Sequence, residues 1–162
     1  LDHAHHRRQL GGAQAANHHV DEEHEGAELI EAYLDGAGWE VRTVGDGDAT
    51  LKAVHEWKPD VLLLDIMMPN LSGYETCQRI HQRYTANELP VIMLTAKNQV
   101  ADLVMGFAAG ANDYITKPIQ DLAMIHHVIR KALENKQLIE DNRRYRKQLD
   151  IYCSSCTSIN LF

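Results

Sequence analysis

Short apolar runs alternate with amphipathic segments along most of this chain. The runs with the length and composition of strands are WEVRTV (39–44), PDVLLLD (59–65), LPVIMLTA (89–96) and NDYIT (112–116). Between them, apolar residues recur at helical spacing, as at Ile30, Tyr33 and Leu34, which predicts helices. Because strands and helices alternate, the pattern predicts an α/β fold, a doubly wound parallel sheet with helices on both faces.

The boundaries of several helices can also be predicted. The stretch DGAG, residues 35–38, has glycines where a helix can end in a left-handed residue. Ser72 directly precedes the helical pattern GYETCQRIHQRY and is a predicted N-cap. The last amphipathic pattern begins KPIQDL, which predicts that Pro118 stands near the start of that helix.

The length of 162 residues is enough for one domain with a sizeable core. The hydrophobic content of 44% and the charged content of 24% are typical of globular proteins. We interpret residues 1–16, which are rich in His, Gly, Ala and Gln, as a flexible leader. Residues 17–133 are the predicted folded domain, residues 134–150 a helical extension and residues 151–162 a tail.

Composition argues against several classes of function. The net charge of −7 disfavours direct binding of nucleic acid. Three cysteines are too few for a disulfide framework, and Cys153 and Cys156 form a single CxxC, a weak signal for a metal or redox site. No segment approaches the roughly 20 apolar residues that span a bilayer, and the opening LDHAHHRRQLGG lacks the apolar region of a secretory signal. We therefore expect a cytoplasmic protein with no membrane contact.

The residues that could take part in chemistry lie at the carboxyl ends of the predicted strands. Asp65 directly follows the buried run VLLL, Thr95 ends the next strand and Lys117 follows the last one. Ligands of open parallel sheets bind at this edge, so we expect these groups to lie close together. The acids of the stretch VDEE, before the first helix, complete the set: Asp21, Glu22 and Glu23.

This set of groups suits phosphoryl transfer. Neighbouring carboxylates repel one another unless a cation joins them, and hard oxygen ligands with few other donors favour Mg²⁺. A lysine and a hydroxyl would contact the remaining oxygens of the transferring phosphoryl group. Asp65 would act as the nucleophile, as carboxylates do when they form aspartyl phosphates.

Three motifs in this chain match those of a known family. The stretches PDVLLLDIMMPNLSGYE, PVIMLTA and GANDYITKP, in this order and spacing, closely resemble the receiver domain of two-component response regulators. The resemblance covers residues 20–133. It implies a five-stranded, flavodoxin-like parallel sheet with strand order 2-1-3-4-5.

The resemblance also implies a role for each site residue. Asp65 is the expected phospho-acceptor, Thr95 the switch hydroxyl, Lys117 the partner of the phosphoryl group and Tyr114 the aromatic that moves inward on activation. A cis peptide bond is expected before Pro118. The groups expected to hold Mg²⁺ are Asp21, Glu22, Asp65 and the backbone carbonyl of Met67.

The implied function is that of a phosphoprotein in phosphorelay signal transduction. A histidine kinase or a phosphotransfer protein would donate the phosphoryl group. The surface of the fourth helix, fifth strand and fifth helix would then change its partner preference. Because the output is binding, we do not expect an enzyme. No output domain fits in the residues after the fifth helix, so this is either a receiver whose output domain lies outside this sequence or a single-domain regulator.

Two features depart from the receiver pattern. The run before the acidic residues reads AANHHV (15–20), and burial of two unpartnered histidines is unfavourable, so we predict a weak or irregular first strand. Glu22 stands where the family usually has Asp, and its extra methylene moves the carboxylate outward by roughly 1.5 Å. Mg²⁺ tolerates such a displacement poorly, so we expect reduced metal affinity, with Glu23 as a substitute ligand.

Two other functions stay open at this point. A pseudo-receiver would use the same fold as an interaction module that is not phosphorylated, because its acidic site is altered. A haloacid-dehalogenase-type phosphohydrolase also uses an Asp after a strand, but generally needs a second acid two positions later, where this chain has Met67. Formation of a beryllofluoride adduct tests the first alternative, and turnover of a phosphate ester tests the second.

The segment ENKQLIEDNRRYRKQLD, residues 134–150, continues the last helix without Gly or Pro, which predicts an extended C-terminal helix. Alternating spacings of three and four fit either a coiled-coil seam or a solvated amphipathic helix. A homodimer through this helix is therefore one expectation. The seam positions are Asn135, Leu138, Asn142, Tyr145 and Leu149.

Overall fold

A computed structural model of the chain describes residues 9–13, 22–96 and 100–155, with side chains over residues 27–96 and 103–151. Strands and helices alternate throughout these ranges. The strands are β1 (Gln9–Ala13), β2 (Glu40–Val44), β3 (Leu62–Asp65), β4 (Val91–Thr95) and β5 (Asp113–Thr116). The helices are α1 (Glu22–Gly36), α2 (Gly47–Trp57), α3 (Gly73–His81), α4 (Val100–Ala108) and α5 (Leu122–Ser155).

The strands form one parallel sheet in the order β2-β1-β3-β4-β5. The register brings the carboxyl ends of these strands to one edge, since Asp65 lies opposite Leu94, the residue before the last of β4, and Thr95 lies opposite Thr116, the last residue of β5. The predicted α/β fold with a parallel sheet is confirmed. The strand order among the described residues is the one that the receiver resemblance implies.

The position of β1 corrects the interpretation of the N-terminal segment. β1 lies inside residues 1–16, for which composition predicts a flexible leader, and that prediction is wrong for Gln9–Ala13. All five residues of β1 pair with β2, and three of them pair with β3 on the other side. Two glycines weaken an isolated strand, but ladders on both sides satisfy the backbone groups of this one. The stretch AANHHV (15–20) lies outside the described residues.

The central strands β3 and β4 are buried along their whole length. Successive residues of a strand face opposite sides of a sheet, so these strands contribute to two cores. Leu63 packs with Ile92 and Leu94 against α1 and α5, whereas Leu62 and Leu64 pack against α2 and α3. Burial on both faces explains why the sequence of these strands is continuously apolar.

Sequence signals at the ends of helices succeed at two positions and fail at a third. Ser72 is the N-cap of α3, and its hydroxyl accepts a hydrogen bond from the backbone N–H of Glu75 at 3.3 Å. Gly38, just beyond α1, has a φ of +88°, which a residue with a side chain rarely adopts. α5 begins at Leu122, so Pro118 precedes the helix, and the prediction that it stands near the helix start is wrong.

Helix α5 has 34 residues, and its two halves have different surroundings. In the first half, Ile125, Ile129 and Leu133 are buried against the sheet. In the second half, the side chains of Leu138 and Tyr145 are 65% and 63% exposed. Within the described residues, no helix combines the length and the apolar composition that crossing a bilayer requires.

Candidate functional site

Three neighbouring strands end at one edge of the sheet and place polar residues there. Asp65 is the last residue of β3, Thr95 is the last residue of β4, and Lys117 directly follows β5. The backbone N–H of Lys117 donates to the carbonyl of Thr95 at 2.7 Å, which joins the ends of β4 and β5. The peptide bond between Lys117 and Pro118 is cis, as the receiver resemblance implies. The fold therefore brings together three residues that the sequence predicted at a common site.

The carboxylate of Asp65 is buried and has a partner on each oxygen. Its Oδ1 accepts a hydrogen bond from the backbone N–H of Met67 at 2.9 Å. Its Oδ2 forms an ion pair with Nζ of Lys117. The ammonium group compensates for the burial of the carboxylate, which would be unfavourable without a partner. Each carboxylate oxygen accepts more than one bond, so both retain capacity for a further ligand.

The start of α3 packs directly against the backbone of Asp65. The N–H of Gly73 donates to the carbonyl of Ile66 at 3.1 Å. A Cβ at position 73 would overlap the carbonyl oxygen of Asp65 and would lie 2.8 Å from Cα of Ile66. Only glycine permits this approach, because every other residue carries a Cβ. The packing of α3 thus depends on Gly73 and supports the position of Asp65.

A capping box holds the same end of α3. The hydroxyl and the backbone N–H of Ser72 donate to the carboxylate of Glu75 at 3.0 and 3.2 Å. These hydrogen bonds, the hydroxyl's first, hold the pKa of Glu75 below its ordinary value. Further along α3, burial raises the pKa of the Cys77 thiol to about 12, which makes that thiol a poor nucleophile.

Thr95 and Tyr114 line a shallow apolar cavity between α4 and the sheet, together with Ile66 and Phe107. Thr95 is buried, whereas Tyr114 is 37% exposed. The ring of Tyr114 meets that of Phe107 edge to face, with centroids 5.9 Å apart. Tyr114 is therefore partly outside a cavity whose lining includes Thr95.

The residues predicted to hold Mg²⁺ are only partly described. Asp21 lies outside the described residues, and Glu22 is described as the first residue of α1 without its side chain. Among the described side chains, no group of three or more His, Cys, Asp and Glu could hold a metal ion. Two members of the predicted set are described, the carboxylate of Asp65 and the main chain of Met67 two residues further. Carboxylate and carbonyl oxygens are hard ligands, and this donor chemistry fits Mg²⁺.

Two residues of the site, Gly73 and Phe107, were not predicted from the sequence. Gly73 is needed for the close approach of α3 to Asp65, and a glycine directly after a predicted N-cap was the available clue. Phe107 holds the ring of Tyr114 from α4, and no local pattern links these two positions because the contact depends on how α4 packs. Both contacts are tertiary.

The arrangement supplies the parts needed for capture of a phosphoryl group. A carboxylate stands at the rim of the sheet, and an ammonium group is already paired with it. A hydroxyl residue ends the adjacent strand. Transfer of a phosphoryl group chiefly requires positioning and stabilisation of charge on its oxygens, and these groups provide both.

Comparison with known proteins shows which family model and which solved structures the chain is similar to. The chain matches the family model of the response regulator receiver domain over residues 18–130. It is similar to a response regulator of Chloroflexus aurantiacus J-10-fl, with 33% identity and a TM-score of 0.68, over 79% of this chain and 98% of that one. It is also similar to the BeF3-activated N-terminal receiver domain of Klebsiella pneumoniae RstA, with 26% identity and a TM-score of 0.66, over 78% of this chain and 98% of that one.

A third similar structure belongs to a longer protein. NtrX of Brucella abortus, in complex with ATP, is 26% identical with a TM-score of 0.71. The match covers 83% of this chain but 29% of that chain. The shared fold is therefore one part of NtrX.

Proposed function

The chain belongs to the response regulator receiver domain family, and from this premise we propose that it is a phosphorylation-controlled signalling module whose phospho-acceptor is Asp65. A histidine kinase or a phosphotransfer protein donates the phosphoryl group. The observation that carries the proposal is the ion pair between Asp65 and Lys117 at the edge where β3, β4 and β5 end.

In the proposed step, one carboxylate oxygen of Asp65 forms a bond to phosphorus. The bond between phosphorus and the imidazole nitrogen of the donor histidine breaks, and its electron pair stays on that nitrogen. The ammonium group of Lys117, which faces Asp65 before transfer, then neutralises charge on a phosphoryl oxygen. The hydroxyl of Thr95 binds another phosphoryl oxygen.

We propose that Mg²⁺ is held by Asp21, Glu22, Asp65 and the backbone carbonyl of Met67. When bound, the cation supplies positive charge that stabilises the phosphoryl oxygens during transfer. The support for this assignment is the all-oxygen character of the donor set. Glu22 carries a longer side chain than the usual Asp, so we expect weaker binding of Mg²⁺ than in receivers with two aspartates.

The output of the module is a change in binding, so we do not class it as an enzyme. Phosphorylation draws Thr95 toward the phosphoryl group, and the ring of Tyr114 moves into the space that this opens in the cavity. The surface of α4, β5 and α5 then favours a different partner, which is a shift between two states of the same domain. The exposed ring of Tyr114, its contact with Phe107 and the shared cavity support this switch.

We further propose a cytoplasmic location and an output domain beyond this sequence. Cys77 is a free, buried thiol, which suits a reducing compartment. The net charge of −7 makes direct binding of nucleic acid by this segment unfavourable. NtrX, in which the shared fold is one part of a longer chain, is a precedent for an attached domain.

Incorporation of phosphate from acetyl phosphate tests the proposal. We expect one phosphate on the wild-type chain in the presence of Mg²⁺, and only background labelling of Asp65→Asn or after chelation with EDTA. Asp60→Asn is the matched control, because Asp60 lies near the other end of β3 and should leave labelling unchanged. Equal labelling of wild type and Asp65→Asn would show that the acceptor lies elsewhere.

The second candidate function is a pseudo-receiver that binds partners without phosphorylation. The substitution of Glu for Asp at position 22 is the observation that favours it. Addition of beryllofluoride and Mg²⁺ distinguishes the two functions, since beryllofluoride forms an adduct with the acceptor carboxylate. If no adduct forms in the folded protein, while Glu22→Asp restores it, the altered acidic site is the cause and the pseudo-receiver is favoured.

A further inference from the structure

The second half of α5 presents a stripe of side chains that the receiver core does not cover. Leu133 is the last buried residue of α5 in the described part of the helix. Close to it, Nζ of Lys136 bonds to Oδ1 of Asp60 at 2.9 Å and ties the helix to the body. The stripe, which we call the seam, consists of exposed residues at Asn135, Leu138, Asn142, Tyr145 and Leu149.

The spacing of the seam is that of a heptad repeat. Asn135, Asn142 and Leu149 occupy position a, and Leu138 and Tyr145 occupy position d. The three larger apolar side chains are 63–65% exposed, which is unusual for a row of such residues along one helix. A seam of this kind is completed by another helix with the same spacing.

The seam does not extend toward the first half of α5. One heptad before Leu138, position d is occupied by Lys131. Nζ of Lys131 lies 3.6 Å from a carboxylate oxygen of Asp113 on the sheet. The seam therefore begins beside the body, where Asn135 also lines a cavity with Asn87 and Pro90, and continues along the exposed part of the helix.

Charges beside the seam are complementary to those of an identical helix. Asp141 occupies position g, and Arg146 occupies position e of the following heptad. In a parallel two-stranded coiled coil these positions face each other across the interface. Asp141 would therefore meet Arg146 of the partner subunit, and symmetry repeats the pair. In this structure Asp141 instead lies 3.8 Å from Arg144 of its own helix.

The asparagines at position a favour one orientation. Nδ2 of Asn142 donates to the carbonyl of Leu138 at 2.8 Å, and its Oδ1 can still accept a bond from another amide. In a parallel, in-register pair, position a packs on position a, so Asn142 meets Asn142 of the partner subunit. In an antiparallel pair, position a packs on position d, and the amides would face Leu138 or Tyr145 side chains. Only the parallel pair gives each amide a polar partner.

We propose that the second half of α5 binds a second copy of this chain as a parallel, in-register two-stranded coiled coil. The charge complementarity of Asp141 and Arg146 and the paired amides select the second copy as the occupant. The folded domain has already formed the start of α5, so the short seam does not carry the cost of helix nucleation. The asparagines keep the dimer weak and dependent on concentration. The proposal does not depend on phosphorylation of Asp65.

Sedimentation equilibrium of the full 162-residue chain over a range of concentrations tests the association. Leu149→Asp should weaken the dimer by roughly tenfold or more, because it places a charge in the seam of both copies. Ile151→Asp is the matched control, since Ile151 is 65% exposed on the same helix but occupies position c, outside the seam. Asn142→Val should strengthen the dimer by roughly tenfold.

Two results would overturn the association. One is a wild-type chain and an Asn142→Val variant that both stay monomeric at every concentration. The other is a dimer that Leu149→Asp and Ile151→Asp weaken equally, which would place the interface on another surface. Thermal unfolding of each variant shows that the domain itself remains folded.

A disulfide cross-link tests the orientation. In a background with Cys153→Ser and Cys156→Ser, Asn142→Cys should form a disulfide between copies under mild oxidation, because equal a positions are adjacent only in the parallel pair. Gln137→Cys, at position c, is the control and should not cross-link. A dimer that persists without any cross-link at position 142 would overturn the parallel arrangement.

The charge pair provides a separate check of register. Asp141→Arg should weaken the dimer by roughly threefold, since the pair is at the solvent-exposed rim. Addition of Arg146→Asp to that variant should restore wild-type association. A double variant no tighter than the single variant would contradict the proposed register.

Discussion

An aspartate and a lysine are paired near each end of β3. At the carboxyl end, Asp65 pairs with Lys117. Just before the amino end, Asp60 pairs with Lys136 at 2.9 Å. The side chain of Asp65 is 8% exposed, whereas that of Asp60 is 43% exposed. Residue types are therefore the same at the two ends, and the surroundings differ.

The surroundings decide what each pair can do. Three strands end around Asp65, α3 packs on its backbone through Gly73, and a hydroxyl residue ends the neighbouring strand. Near Asp60, the partner lysine belongs to α5, so the pair ties the helix to the body. The carboxyl end carries the groups that we propose bind a phosphoryl ligand, whereas the pair near the amino end holds a helix. This difference follows from the direction of a parallel sheet, whose ligand sites lie at the carboxyl edge.

The largest expected effect comes from removing each lysine in turn. Lys117→Ala should slow phosphorylation of Asp65 by about 100-fold, because a charge positioned toward the transferring group contributes on the order of 3 kcal/mol. Lys136→Ala should leave the rate unchanged. The measurement is the initial rate of phosphate incorporation from acetyl phosphate at saturating Mg²⁺.

Stability measurements complete that comparison. Lys136→Ala should lower the free energy of unfolding by about 1 kcal/mol, because Asp60 is 43% exposed and solvent screens the ion pair. Urea denaturation of each variant gives this value and shows that Lys117→Ala is folded when it is assayed. Equal slowing of phosphorylation by the two substitutions would mean that the two ends of β3 are not distinct in function.

The second difference between the two ends is the packing of α3 on the backbone of Asp65, and substitution of Gly73 tests it. Gly73→Ala should destabilise the domain by about 3 kcal/mol, because its Cβ would overlap the backbone of Asp65, which cannot easily move. Gly36→Ala is the control. Position 36 is also in a helix but has nothing within 4 Å of an added Cβ, so its free energy of unfolding should change by less than about 1 kcal/mol. Unfolding in urea measures both.

The outcome for Gly73→Ala also bears on the site. If the substitution leaves stability unchanged, then the start of α3 adapts without displacing Asp65, and the close approach is not required. If stability falls while the folded fraction is phosphorylated at the wild-type rate, Gly73 serves folding alone.

Much of the fold could be predicted from the sequence, because the signal for each of those elements lies within its own residues. β3 and β4 are apolar along their whole length because they are buried on both faces, and Ser72 carries its N-capping signal in its own side chain. The strand β1 could not be predicted in the same way. Its sequence QLGGA has no apolar period, and its place in the sheet depends on hydrogen bonds to β2 and β3.

In the candidate site, too, some residues could be predicted from the sequence and others could not. Asp65, Thr95 and Lys117 could be predicted together because each ends or follows a recognisable strand, and a parallel sheet brings such ends to one edge. Phe107 could not, because its contact with Tyr114 depends on how α4 packs on β5. The metal ligands Asp21 and Glu22 stay predictions, since their side chains lie outside the part of the chain that the structure describes.

The smallest expected effect concerns a capping arrangement that the two edges share. Near the carboxyl edge, Ser72 bonds Glu75 at the start of α3. Near the amino edge, the backbone N–H and the hydroxyl of Thr85 each donate to Glu88 at 2.8 Å. In both cases these bonds to the carboxylate hold its pKa below the ordinary value of 4.5, and for Glu88 the charge of Arg143 adds to the effect.

The lowered pKa values fix the sign of a pH dependence. A carboxyl group whose pKa is lower in the folded state stabilises the fold above its unfolded pKa, and this contribution is lost as pH falls through the folded pKa. Glu75→Gln and Glu88→Gln should therefore each lower the midpoint of thermal unfolding slightly at about pH 7, and the difference from wild type should diminish as the pH falls below the ordinary pKa of 4.5. Glu75→Gln should have the larger effect, because Glu75 caps a helix of nine residues whereas Glu88 closes a turn. A difference that stays constant from about pH 7 to about pH 3 would show that the carboxylate charge is not the source of stabilisation at either edge.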